Sequence, residues 1–201
     1  MVKQFALGPQ LSLSVSQTRG MGHLKPVVFV LGPSGVGKSY LSKMLKNNNF
    51  LYVHIDTDSR EKTFKENGFP SEWDKDFLKI NLGQLVAVLQ DRLSDKYIGG
   101  VISFPTTYVF TSEMLAEAKR LGVIPILLWS TKENCIRAAT IRINKKGKQF
   151  DLARYQLKNE RAFLIYGRSE YEAFRVEAFQ EDGSRYPDQE WLAIINKRIS
   201  G

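Results

Sequence analysis

One stretch, Gly32-Pro33-Ser34-Gly35-Val36-Gly37-Lys38-Ser39, constrains this chain more than any other. It meets every fixed position of G-x-x-x-x-G-K-[ST]. The apolar run Val27 to Leu31 precedes it, the pattern of a strand buried on both faces of a parallel sheet. Leu41, Met44 and Leu45 follow it at helical spacing. A glycine-rich turn between a strand and a helix makes a phosphate cradle. The glycines let successive backbone N–H groups point inward, and the helix N-terminus adds partial positive charge. In that arrangement Lys38 reaches the β- and γ-phosphates of a nucleotide, and the Ser39 hydroxyl ligates Mg²⁺.

A chain of 201 residues suits one α/β domain. The single cysteine, Cys135, excludes an internal disulfide framework and a cysteine zinc cluster, and with it we expect a reducing, cytoplasmic setting. His23 and His54 are the only histidines, too few for a histidine-based metal site. No apolar run approaches the length of a membrane span. The net charge is +8, and six of its cations (Lys3, Arg19, Lys25, Lys38, Lys43 and Lys46) precede the first acid, Asp56. Such a field suits a polyphosphate site. A nucleic-acid partner is the less favoured reading, because no Lys/Arg run is interleaved with aromatics in a recognisable module. Residues 1–24 read as a poorly ordered N-terminal extension. They are serine-rich and free of acids, as in an organelle transit peptide, but carry a single arginine. Met21 is an alternative start.

Downstream, Asn47-Asn48-Asn49 stops the first helix. Phe50 to Ile55 predicts a second strand, ending in Asp56-Thr57-Asp58. Residues 59–75 are polar and broken by Gly68 and Pro70. The spacing of Phe77, Ile80, Leu82, Leu85, Val86, Leu89 and Leu93 predicts a helix. Gly99-Gly100 opens a third strand, Val101 to Phe104, and Thr111 or Ser112 caps a helix that runs to Leu121 and closes at Gly122. Val123 to Trp129 is a fourth strand, marked as an edge by Pro125. Helices are expected over Thr131–Arg142 and Asp151–Ile165, with a basic segment, residues 143–150, around Gly147 between them. Phe174 to Phe179 is the candidate fifth strand, and Asp188 is expected to cap a terminal helix over Gln189–Ile199. Alternating strands and helices give an α/β fold, a parallel sheet with helices on both faces.

With these elements placed, residues 26–199 resemble the small P-loop kinases of the nucleoside-monophosphate-kinase-like group, which includes adenylate, shikimate and gluconate kinases. The resemblance implies a five-stranded parallel sheet of order 2-3-1-4-5, with ATP and Mg²⁺ on residues 32–40, including Pro33, Val36 and Tyr40. It also implies a substrate lobe over about 59–95 and a lid over about 142–151, within a kinase domain spanning 25–201. The loop sequence itself is most similar to guanylate kinases, whose downstream GMP-binding pattern is missing here. Asp56-Thr57-Asp58 resembles the D-x-D that ends strand two of sugar- and shikimate-type kinases. By that likeness Asp56 holds Mg²⁺ or activates the acceptor hydroxyl, and Asp58 binds substrate. The stretch ENGFPSEWDKDFL weakly resembles the gluconate-kinase lobe and puts Trp73 against substrate. By position Arg137 resembles the adenine-stacking arginine and Arg142 the lid arginine, with Arg154 and Arg161 in reserve. Arg185-Tyr186-Pro187 falls where family members pack backbone and proline against adenine. The third strand ends in Phe104-Pro105-Thr106-Thr107, without a terminal acid, so Mg²⁺ is left to Ser39, Asp56 and water.

The expectation is therefore an ATP-dependent phosphotransferase acting on a small hydroxylated metabolite. A nucleoside or nucleotide kinase, a polynucleotide 5′-hydroxyl kinase and a non-catalytic ATP-binding regulatory module are the alternatives.

Overall fold

The apolar run Val27–Leu31 forms β1, and all five of its residues are buried. A computed structural model describes residues 24–55, 60–66, 68–70 and 81–200. Alternation along β1 feeds two cores. Val27, Phe29 and Leu31 join one face of the sheet, and Val28 and Val30 join the other. A strand with no polar face can sit only in the interior of a covered parallel sheet.

Twelve further elements follow in order: α1 (Lys38–Asn47), β2 (Phe50–His54), α2 (Arg60–Glu66), α3 (Leu82–Arg92), β3 (Gly99–Ser103), α4 (Ser112–Arg120), β4 (Val123–Trp129), α5 (Lys132–Asn144), α6 (Leu152–Tyr166), a 3-10 helix (Ser169–Phe174), β5 (Arg175–Glu177) and α7 (Asp188–Ser200). The strands form one five-stranded sheet of order β2-β3-β1-β4-β5, as expected. Every pair is parallel. Leu41 and Leu45 of α1 and Trp191, Leu192 and Ile195 of α7 pack on the Val28/Val30 face. Leu85 and Leu89 of α3, Leu115 of α4 and Tyr166 of α6 cover the opposite face. Helix α6 serves both cores, since its Tyr155 belongs to the Val28/Val30 core and its Ala162 and Tyr166 to the Val27/Phe29 core.

Caps explain most boundaries. The side chains of Thr111, Thr131 and Asp151 accept from the backbone N–H three residues on, at the starts of α4, α5 and α6. Asn49 takes the left-handed conformation (φ 63°) that ends α1.

Some expectations need correction. The helix predicted from Phe77 begins, within the described residues, at Leu82, because Asn81 is extended and its side chain caps Gln84 N–H. The polar stretch after residue 59 holds a short helix, α2, with Phe64 buried in the core. Pro125 does not mark an edge strand, since β4 lies between β1 and β5. The proline is tolerated because β5 pairs only with Leu127–Trp129 and leaves that half of β4 uncovered. Strand β5 is shorter than read, since Phe174 closes the 3-10 helix. Asp188 is the first residue of α7 and not its cap, and the Pro187 carbonyl accepts from the N–H groups of Glu190 and Trp191. No described helix is long and apolar enough to cross a membrane.

Candidate functional site

Strand β1 ends at Leu31, and the chain turns through three glycines before α1. Gly32, Gly35 and Gly37 all have positive φ, at 131°, 89° and 107°. Close packing adds to the demand at Gly35. A Cβ there would overlap the Cys135 carbonyl oxygen of α5 and approach the Ala139 Cβ at 3.4 Å. The loop is therefore folded tightly against α5. Gly37 is the N-cap of α1 and has no capping side chain, and its carbonyl accepts from the N–H groups of Tyr40 and Leu41.

Lys38 is the first residue of α1. Its Nζ donates to the carbonyls of Gly32 (2.7 Å) and Pro33 (2.9 Å) and to Thr106 Oγ1 (3.2 Å). The ammonium thus lies across the mouth of the loop. Thr106, buried just beyond the carboxyl end of β3, also meets Ser34 Oγ at 3.0 Å. Ser34 is held from α6 as well. Its N–H donates to Asn159 Oδ1 (2.6 Å), and its carbonyl accepts from the Tyr155 hydroxyl (2.6 Å). Burial pushes the Tyr155 hydroxyl pKa up, and the nearby Arg142 guanidinium pulls weakly against that shift. Arg142 is exposed in the last turn of α5. The Cys135 thiol is fully buried behind the loop, and burial pushes its pKa up to about 12, against a smaller pull from Lys38.

On the other flank, Val36 is buried in the core, and Ser39 and Tyr40 continue the first turn of α1. The Tyr40 hydroxyl donates to both carboxylate oxygens of Asp188, at 2.7 and 3.0 Å. That bond, helped by burial, raises the Tyr40 pKa. The Arg185 guanidinium sits among three rings, 4.9 Å from the centroid of Tyr40, 5.5 Å from Phe179 and 5.8 Å from Trp191. Burial lowers its pKa, and among the described residues its Nη1 has no hydrogen-bond partner. Arg137 reaches from α5 to the Gly183 carbonyl in the turn before α7. The segment 183–188, Pro187 included, is thereby tied to α5 through Arg137 and to α1 through Tyr40.

The structure thus brings together Gly32 to Tyr40 and sets Arg137 and Pro187 on one flank, while Arg142 is exposed at the end of α5. Asp56, Asp58 and Trp73 lie outside the described residues. Among the described residues, no group of three or more His, Cys, Asp or Glu side chains is placed to hold a metal ion. Thr106, Tyr155 and Asn159 were missed as contributors to the loop's surroundings, and Arg185 was named only as part of the segment Arg185-Tyr186-Pro187, without its own contacts. Asn159 did leave a signal: it interrupts the otherwise apolar or aromatic stripe Tyr155, Ala162, Tyr166 on one face of α6. Thr106 follows a strand's carboxyl end, where sites form in open α/β sheets.

No family model matches the chain, and no curated protein matches it in sequence. Solved structures do match. A gluconokinase from Sinorhizobium meliloti superposes with a TM-score of 0.53 at 13% identity, over 89% of this chain and 94% of that one. The fold is that of the small P-loop kinases. A shikimate kinase from Aquifex aeolicus is also similar, with a TM-score of 0.46 at 16% identity over 87% of this chain and 96% of that one. At such identities the likeness is one of fold. In the P-loop kinase fold observed here, the glycine loop connects the central strand β1 to α1, at the carboxyl edge of the sheet.

Proposed function

We propose that the chain is an ATP-dependent phosphotransferase that moves the γ-phosphoryl group of Mg·ATP to a small hydroxylated metabolite. The observation that carries this reading is the placement of Lys38. Its ammonium spans the mouth of a glycine loop that leads into a helix N-terminus without a capping side chain, and its present partners include two loop carbonyls. Phosphate oxygens would replace those carbonyls as charge-assisted acceptors, which are stronger partners than neutral ones. The fold likeness to a gluconokinase supports the same chemistry.

In this reading Gly32 to Tyr40 surround the phosphates of ATP. Ser39, in the first turn of α1, supplies a hydroxyl ligand for Mg²⁺, with Asp56 as the second protein contact. When bound, Mg²⁺ neutralises charge on the phosphates. Asp56 follows Ile55, whose N–H is held by the Ser103 carbonyl at the carboxyl edge of the sheet, where the binding crevice of an open α/β sheet forms. In this reading Asp56 also accepts the acceptor hydroxyl's proton. Asp58 and Trp73 contact substrate. Arg137 and Pro187 bracket adenine between α5 and the turn before α7. Arg142 meets charge on the transferring group when the basic segment around Gly147 closes and excludes water. A single buried cysteine suits a reducing cytoplasm.

The test is ADP release with Mg·ATP across sugars, sugar acids, shikimate, nucleosides, nucleoside monophosphates and a 5′-hydroxyl oligonucleotide, with Lys38→Ala beside the wild type. One acceptor should raise ADP release well above background, and Lys38→Ala should abolish it without unfolding the chain. Turnover on nucleosides or on the oligonucleotide would replace the small-metabolite reading. Tight ATP binding with no stimulation by any acceptor would point to a regulatory module instead.

A further inference from the structure

The least expected feature of the loop is what holds its apex. Between Gly32 and Gly35 the chain belongs to no strand or helix, so its backbone groups need partners from elsewhere. Ser34 finds two on one helix. Asn159 Oδ1 accepts the Ser34 N–H at 2.6 Å, and the Tyr155 hydroxyl donates to the Ser34 carbonyl at 2.6 Å. The amide of Asn159 is itself oriented, because its Nδ2 donates to the Tyr155 carbonyl at 2.7 Å. That bond fixes which end of the amide faces Ser34. Asn159 is 1% exposed and Tyr155 is 8% exposed. A buried amide is costly unless satisfied, and here both ends are paired. A third tie runs from Ser34 Oγ through Thr106 Oγ1 to Lys38 Nζ. The peptide groups on either side of one loop residue are therefore clamped from α6, and that residue shares a hydroxyl contact with the ammonium.

We propose that Asn159 and Tyr155 are positioning residues for the phosphate loop. Through Ser34 they set the loop's curvature, and so the directions of the N–H groups and of Lys38 that a polyphosphate meets. This rests on the reading of Gly32–Ser39 as a polyphosphate site. Loss of the Asn159 amide leaves the Ser34 N–H without its acceptor, and the loop apex relaxes toward geometries that no longer match the phosphates. The energy of one such buried bond corresponds to about a tenfold loss of affinity. Tyr155→Phe spares the N–H bond and should lose less, about threefold.

Calorimetric titration of Mg·ATP, and separately of Mg·tripolyphosphate, into wild type, Asn159→Leu and Tyr155→Phe tests this, with urea midpoints measured in parallel. The expected result is that wild type binds both ligands and that folded Asn159→Leu binds both about tenfold more weakly. A purely structural role would lower the urea midpoint and leave the dissociation constants of the folded variant unchanged. Constants within twofold of wild type in folded Asn159→Leu would overturn the proposal. Should Asn159→Leu fail to fold, Tyr155→Phe, which removes a single hydroxyl, decides: weaker binding of both ligands supports the proposal, and wild-type constants overturn it. A wild-type chain that binds neither ligand would overturn the polyphosphate reading first, and this inference with it.

Discussion

Substituting Gly35 by alanine tests how tightly the loop is seated on α5. Two costs add at that position. The backbone sits at φ 89°, which an L-residue occupies at a penalty of about 1–2 kcal/mol. The new Cβ would also overlap the Cys135 carbonyl oxygen. Helix α5 cannot retreat cheaply, because Cys135 and Ala139 are both fully buried, and overpacking of this kind costs about 1–3 kcal/mol. Restricting the unfolded chain returns about 0.4–1 kcal/mol. The balance is a loss of about 1–5 kcal/mol. Gly147→Ala is the control: φ there is 67°, but nothing lies within 4 Å of the added atom. It should lose no more than about 1.6 kcal/mol. Urea unfolding of wild type and both variants, with equal slopes, reads the difference directly. In melting temperature Gly35→Ala should fall by about 2–20 °C at the 2–4 °C per kcal/mol usual for a chain of this size. A Gly35→Ala protein as stable as Gly147→Ala would show that the loop does not pack on α5 as described.

Three further outcomes follow from the geometry. Thr106→Val removes the hydroxyl between Ser34 and Lys38; it should cost about 1 kcal/mol in urea unfolding and weaken Mg·ATP binding, while Thr106→Ser restores both. Tyr166→Phe removes the hydroxyl that accepts the Phe110 N–H at 2.9 Å in the core, and unfolding should record a loss of about 1 kcal/mol. The Cys135 thiol should resist alkylation in the native state, since burial raises its pKa from 9.0 to about 12. Between those values the unfolded chain has released a proton that the folded chain keeps, so the cysteine's contribution to stability is complete below pH 9 and falls as pH rises toward 12. Cys135→Ala should flatten that part of the curve, and an unchanged slope would contradict the assignment.

The sheet was legible because its strands are apolar runs of the right length, bounded by turn residues, and because the glycine loop locates the central strand. Helix starts were legible where a Thr or Asp cap stands before an apolar periodicity, as at Thr111, Thr131 and Asp151. Pro125 misled because a proline forbids pairing only at its own N–H, and the short β5 leaves that stretch of β4 uncovered. Asn81 misled in the opposite sense, as a polar residue inside a helical spacing whose side chain ends the pattern by capping Leu82–Arg92. Around the loop, the sequence names the residues that form the cradle but not those that hold it. Asn159 and Thr106 are separated from Ser34 by 125 and 72 residues, and only the packing of α6 and the end of β3 against the loop brings them there. The ring contacts of Arg185, unlike its place in the segment 185–187, were similarly hidden, because a cation among three rings is a product of tertiary packing and leaves no local spacing to read.

The most direct measurement is the dissociation constant of Mg·ATP for wild type and for Lys38→Ala, with circular dichroism confirming that both are folded. Binding by the wild type that falls at least tenfold in the variant is what the account predicts, since a charge-assisted contact to phosphate is worth about 1.5–3 kcal/mol. Equal binding by the two proteins, or none by the wild type, would contradict it.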